Sequence, residues 1–114
     1  MKLINLTPHA ITVCGREIPP SGQVARCAVE EEVVGMVEHP DSDDQDALTT
    51  SVPIIRQVFG EVTGLPERQD GVMYVVSAIV AQAVPDRVDV VIPARTLRDE
   101  AGRIVGCEAL ATVR

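Results

Sequence analysis

Val72-Met73-Tyr74-Val75-Val76-Ser77-Ala78-Ile79-Val80-Ala81-Gln82-Ala83-Val84-Pro85 is the stretch on which the reading of the fold turns. Its first five residues form an unbroken apolar run, β-branched at Val72, Val75 and Val76. Such a run reads as a central strand covered on both faces. Ser77 stands where a helix N-cap stands, with a hydroxyl to accept from the first free backbone N–H groups. Residues 78–84 follow as a short helix, with Ile79, Val80 and Ala83 expected on one face. Pro85 ends it. This strand–helix step is the one clear helix candidate in the chain.

Toward the C-terminus, residues 88–92 read as the next strand, closed by Pro93. Asp99-Glu100-Ala101-Gly102 reads as a hairpin turn, with Gly102 at the position that needs positive φ. Residues 103–107 and 110–113 complete the C-terminal strands. Toward the N-terminus, residues 52–59 are an extended run, and 60–66 read as a loop or a bulged strand. Residues 3–6 form a short strand interrupted by Pro8, which has no N–H to give a ladder. An extended run at 10–13, a turn at Cys14-Gly15-Arg16, a return at 17–18, the Pro19-Pro20-Ser21-Gly22 turn and a strand at 24–29 then read as a β-meander. The expected class is mainly β (α+β), an antiparallel sheet or meander with one short helix near 77–84, in a single domain over 1–114.

The 114 residues carry a formal charge of −7, and the excess is local. Residues 30–46 hold Glu30, Glu31, Glu32, Glu38, Asp41, Asp43, Asp44 and Asp46 with no Lys or Arg, and the remainder is nearly balanced. That pattern predicts an exposed acidic loop at about 38–50. It argues against duplex DNA or RNA as a partner, because duplex binding needs a basic face. It leaves room for a small anion held by a few arginines. No run approaches the roughly 18 apolar residues of a membrane span, and the opening decapeptide lacks an apolar signal core. Cys14, Cys27 and Cys107 are odd in number and far apart, which reads as reduced thiols in a cytoplasmic protein. Neither metal-ligand spacing nor a cofactor motif is present. The acidic loop lacks the glycine and terminal glutamate of a calcium loop.

Catalytic constellations are equally scarce. His9 and His39 are the only histidines, and the carboxylates cluster where nothing shelters them from water, so no acid–base pair is expected. The chain is read as a non-enzyme with no catalytic residues. Arginine is the more informative residue type, because its guanidinium gives bidentate contacts to phosphate. Arg95 and Arg98 flank Thr96-Leu97, and Arg56 lies in the run before Phe59. Phe59 and Tyr74 are the only rings of the Phe, Tyr and Trp class, and either would be the one to stack on a base. The plain alternative makes both rings core and pairs the two C-terminal arginines with Asp99 or Glu100.

The opening Ile4-Asn5-Leu6-Thr7-Pro8-His9-Ala10-Ile11 resembles a family of small phage and prophage proteins. Further blocks extend the likeness over most of the chain apart from the acidic loop. They include Pro20-Ser21-Gly22, the stretch from Phe59 to Pro66, Tyr74-Val75-Val76-Ser77, Val91-Ile92-Pro93 and the stretch from Gly102 to Cys107. The whole is similar to phage-encoded Thoeris anti-defence sponges. That resemblance implies a homo-oligomer that sequesters a nucleotide-derived immune signal, cyclic ADP-ribose-like or a cyclic oligonucleotide, without turnover. No motif carries the ligand residues across. Arg56, Tyr74, Ser77, Arg95 and Arg98 are the ligand-binding candidates on their chemistry alone. The competing expectation is a small structural or protein-interaction β-domain that binds no ligand.

Overall fold

The computed structural model describes residues 1–38 and 51–113. Eight strands and one helix follow in order: β1 (Lys2–Asn5), β2 (Ile11–Val13), β3 (Arg16–Ile18), β4 (Arg26–Glu38), β5 (Ser51–Thr63), β6 (Val72–Val75), α1 (Ala78–Ala83), β7 (Val90–Arg98) and β8 (Ile104–Ala111). The protein is mainly β with one short helix, as its sequence predicts. Apart from Glu38, the expected acidic loop lies outside the described residues.

The chain forms two compact units, a body of residues 1–27 and 61–114 and a second unit, Ala28–Gly60. In the body, six strands lie in the order β1-β6-β7-β8-β2-β3. Of the expected opening meander only the β2–β3 hairpin is formed: β1 and β2 lie four places apart in that sheet. The reason is the apolar run at 72–76, which takes the place beside β1 in parallel register, Ile4 opposite Tyr74. β6 also runs parallel to β7, Val75 opposite Val91, with α1 as the crossover. The longest ladder is the antiparallel β7–β8 hairpin. β2 runs parallel to β8 and turns back into β3 through Cys14 and Gly15, whose φ values of 50° and 79° suit a type I′ turn.

β4 and β5 run well beyond the expected strands at 24–29 and 52–59, and the C-terminal hairpin differs at two further points. β7 continues through Pro93 to Arg98. The Val91 carbonyl accepts from the Val76 N–H, so by alternation the Pro93 nitrogen points to the same side, beyond the end of β6. Its missing donor is therefore not needed there. β8 is one strand rather than two.

The core of the body is built on one face of this sheet. Tyr74, Val76 and Val90 meet Val80 and Ala81 of α1, with Leu6 and Ala25 closing the cluster. The helix buries Val80 and Ala81 and packs Val84 against them, whereas Ile79 is 42% exposed. The apolar stripe thus has the expected spacing but sits one residue later. On the opposite face, the registers place Leu3, Met73, Val91 and Leu110 side by side around an open hollow.

The second unit holds most of β4 and β5, two strands of 13 residues that, among the described residues, pair only with each other. Gly60 lies beside Ala28, Arg56 beside Glu32 and Gly35 beside Ile54, which makes the pair antiparallel. Every residue of β5 except Val62 is exposed. The ribbon is apolar nonetheless: Val33 (62%), Met36 (57%), Ile54 (45%) and Val58 (45%) present their side chains to solvent.

Candidate functional site

The Asn-Leu-Thr-Pro-His opening does structural work. Asn5 is 1% exposed. Its side-chain amide donates to the backbone carbonyls of His9 (2.8 Å) and Ile18 (3.2 Å). Its Oδ1 accepts from the Thr7 N–H (2.9 Å), and the Thr7 hydroxyl sits 2.6 Å from the same oxygen. The Asn5 and Leu6 carbonyls accept from the N–H groups of Ser21 and Ala25. One buried amide therefore ties the end of β1 to the loop before β2 and to β3. His9 contributes its backbone carbonyl to this knot.

A second buried polar unit lies behind the core. Arg87 grips Asp89 through Nε and Nη2, both at 2.7 Å, and Nη2 also donates to the Pro66 carbonyl at 2.8 Å. Asp89 is 3% exposed. The hydrogen bonds from Arg87 hold its carboxyl below the usual carboxylate range, against the opposing effect of burial. The pair clamps the segment after β5 to the entry of β7. Neither cleft geometry nor a free valence makes it a reactive site.

The five candidate ligand residues are not brought together. Tyr74 is 1% exposed in the centre of the core, and its hydroxyl reaches the Glu67 carbonyl at 3.4 Å. Its ring faces are occupied by packing, so it cannot stack on a base in this structure. Arg56 belongs to the ribbon and pairs with Glu32 at 3.3 Å, both side chains being well exposed. Ser77 is the N-cap of α1, its hydroxyl accepting from the Val80 N–H at 3.3 Å. Arg98 donates to the Gly102 carbonyl of its own hairpin at 2.8 Å, and Asp99 is taken by Arg103. Arg95 is the exception: it is exposed, makes no side-chain hydrogen bond or ion pair among the described residues, and has a φ of 52° in the middle of β7. A positive φ is unusual for a non-glycine strand residue.

Three open clefts of the body lack the lining a polyanion needs. One, of about 220 Å³, lies between the start of β4 and α1, with Arg26 as its only charged lining residue and Ser77 on its rim. A cleft of about 170 Å³ between β2, β7 and β8 offers the Thr12 and Thr96 hydroxyls. The hollow beside Leu3 and Met73, about 210 Å³, is almost wholly apolar. None holds two arginines. No group of three His, Cys, Asp or Glu side chains among the described residues could hold a metal ion, and no helix there is long and apolar enough to cross a membrane.

What sequence reasoning missed is the ribbon. Its signal was present in the β-branched residues Val29, Val33, Val34 and Val37 and Val52, Ile54, Ile55 and Val58, but a surface ribbon and a buried strand share that composition. Comparison with protein-family models finds no match, and no curated protein or solved structure matches the chain.

Proposed function

We propose that this chain is a non-catalytic protein-interaction domain whose working surface is the β4–β5 ribbon. One observation carries the reading. Val33, Val34, Met36, Val37, Val52, Ile54, Ile55, Val58 and Phe59 are all between 36% and 62% exposed on a ribbon that pairs with no third strand among the described residues. Contiguous exposed apolar surface of this kind marks interaction sites, and a two-stranded ribbon alone is marginal in water. The test is a photo-crosslinking residue in place of Phe59, installed in the full chain in its native cell. Capture of a discrete polypeptide supports the proposal. Capture of nothing, with the protein folded, overturns it.

A second reading, capture of a nucleotide-derived signal, is implied by the phage resemblance, and Arg95 is the observation that favours it. An exposed guanidinium on strained backbone is a plausible phosphate contact. Thermal unfolding with ADP-ribose, its cyclised isomers and cyclic oligonucleotides is the measurement. A ligand at 100 times its dissociation constant stabilises the native state by about 2.7 kcal/mol. That gain should vanish in Arg95→Ala with Arg98→Ala. No gain with any member of the panel removes the reading.

A further inference from the structure

We infer that the occupant of the ribbon is a second copy of this chain, seated along the free edge of β5 with the two β5 strands antiparallel about a twofold axis. The inference rests on the proposed role of the ribbon as an interaction surface and names its partner. The argument starts from charge. Among the described residues each ribbon strand has one neighbour and one open edge. β4 carries Glu30, Glu31, Glu32 and Glu38. Two β4 edges brought together about their centre would set Glu32 opposite Glu32, with Glu30 and Glu31 diagonal to further carboxylates and only Glu38 answered, by Arg26; such like charges are a known device against edge pairing. β5 carries a single cation, Arg56, and a single anion, Glu61, in its 13 residues. Its open edge therefore lacks the guard that protects β4. Arg56 is already held by Glu32 within the same ribbon, so its charge is partly answered before any partner arrives.

The sequence of β5 also suggests a register. Centred on Gln57, an antiparallel β5–β5 pair sets Ile55 of each copy opposite Phe59 of the other, twice over. It sets Arg56 opposite Val58 rather than opposite itself. Pairs of an aromatic with a β-branched residue are among the favourable cross-strand combinations. Pro53, which has no N–H, falls near the margin of the pairing and withholds at most one donor. The product is a four-stranded sheet with β4 outermost on both sides, its glutamates facing water. An interface of one patch with itself is the commonest route to a closed dimer.

The test uses the full chain with Cys14→Ser, so that no exposed native thiol competes. In this background Gln57→Cys places the two thiols opposite each other, within the span a disulfide bridges. Under mild oxidation it should form a covalent dimer much faster than Glu31→Cys on β4. Sedimentation should show a concentration-dependent dimer, and Ile55→Lys with Phe59→Lys should raise its dissociation constant about tenfold. Unchanged thermal unfolding of that double variant guards against a folding defect. A wild-type monomer at all concentrations, or equal crosslinking at Gln57→Cys and Glu31→Cys, overturns the inference. The two levels of the argument separate in the photo-crosslinking experiment at Phe59. Capture of a different protein overturns the second copy and leaves the ribbon as an interaction surface, whereas capture of nothing removes both.

Discussion

Asn5 shows how one side chain can set the course of twenty residues. Its amide has the donors and acceptor to satisfy two carbonyls and one N–H at once, while the side chain itself is buried. Replacement by alanine takes this partner from the half-buried Thr7 N–H and Ile18 carbonyl, while the His9 carbonyl keeps the Thr7 hydroxyl. Asn5→Ala should therefore cost about 3 kcal/mol in denaturant unfolding, where a surface asparagine would cost little. Asp89 makes a prediction of the opposite kind, in pH. Its carboxyl titrates below its ordinary value of 3.8 in the folded state. The Arg87 pair therefore contributes its full stability above that value and loses it as pH falls through the lowered one. Acid unfolding of the wild type should steepen below about pH 4, and Asp89→Asn should flatten that limb. At neutral pH, Asp89→Ala should cost about 3 kcal/mol, the low end for a broken buried pair because Arg87 keeps some access to water.

At the scale of elements, the strand–helix step at 72–84 was legible because every local signal agreed. An apolar run, an N-cap serine and a terminating proline all lie in the right order. Ser77→Ala should lower stability by about 1 kcal/mol while Ser77→Asp preserves it, measured by thermal unfolding. A nucleotide contact at Ser77 would not tolerate the added charge so well. The sheet order was not legible. β1 is placed beside β6 by pairing across nearly seventy residues, and nothing in residues 3–6 announces that partner. Pro93 misled for a related reason: whether a strand proline is tolerated depends on which side its nitrogen faces, which only the neighbouring strands decide. The candidate site suffered most. Arg56, Tyr74, Ser77, Arg95 and Arg98 were chosen as residue types, and a type does not tell where its side chain will be spent. The fold uses Tyr74 for the core, Ser77 for a cap and Arg98 for a turn. Of the five, only Arg95 has a head group with no partner among the described residues.

For the whole molecule, stability should be unevenly distributed. The buried core lies in the body, and of the two ribbon strands only their body ends, at Cys27 and Val62, pack against it. Hydrogen exchange should separate the two units. Amides of Tyr74, Val76 and Ala81, each bonded within the core, should exchange only through global unfolding. Amides along 51–60 should exchange much faster in dilute solution and slow as concentration rises and the β5 edge is covered. Fast exchange at all concentrations would agree with a ribbon that meets no second copy.

Gly60 and Ala28 lie against each other where the ribbon leaves the body, so the chain departs and returns at neighbouring points. A segment attached in this way behaves as a cassette. It can be lengthened, shortened, recharged or exchanged for another without touching a residue of the core. The body would then be a conserved chassis on which lineages try out different contact arms, and sequence divergence between such lineages should concentrate between positions 28 and 60.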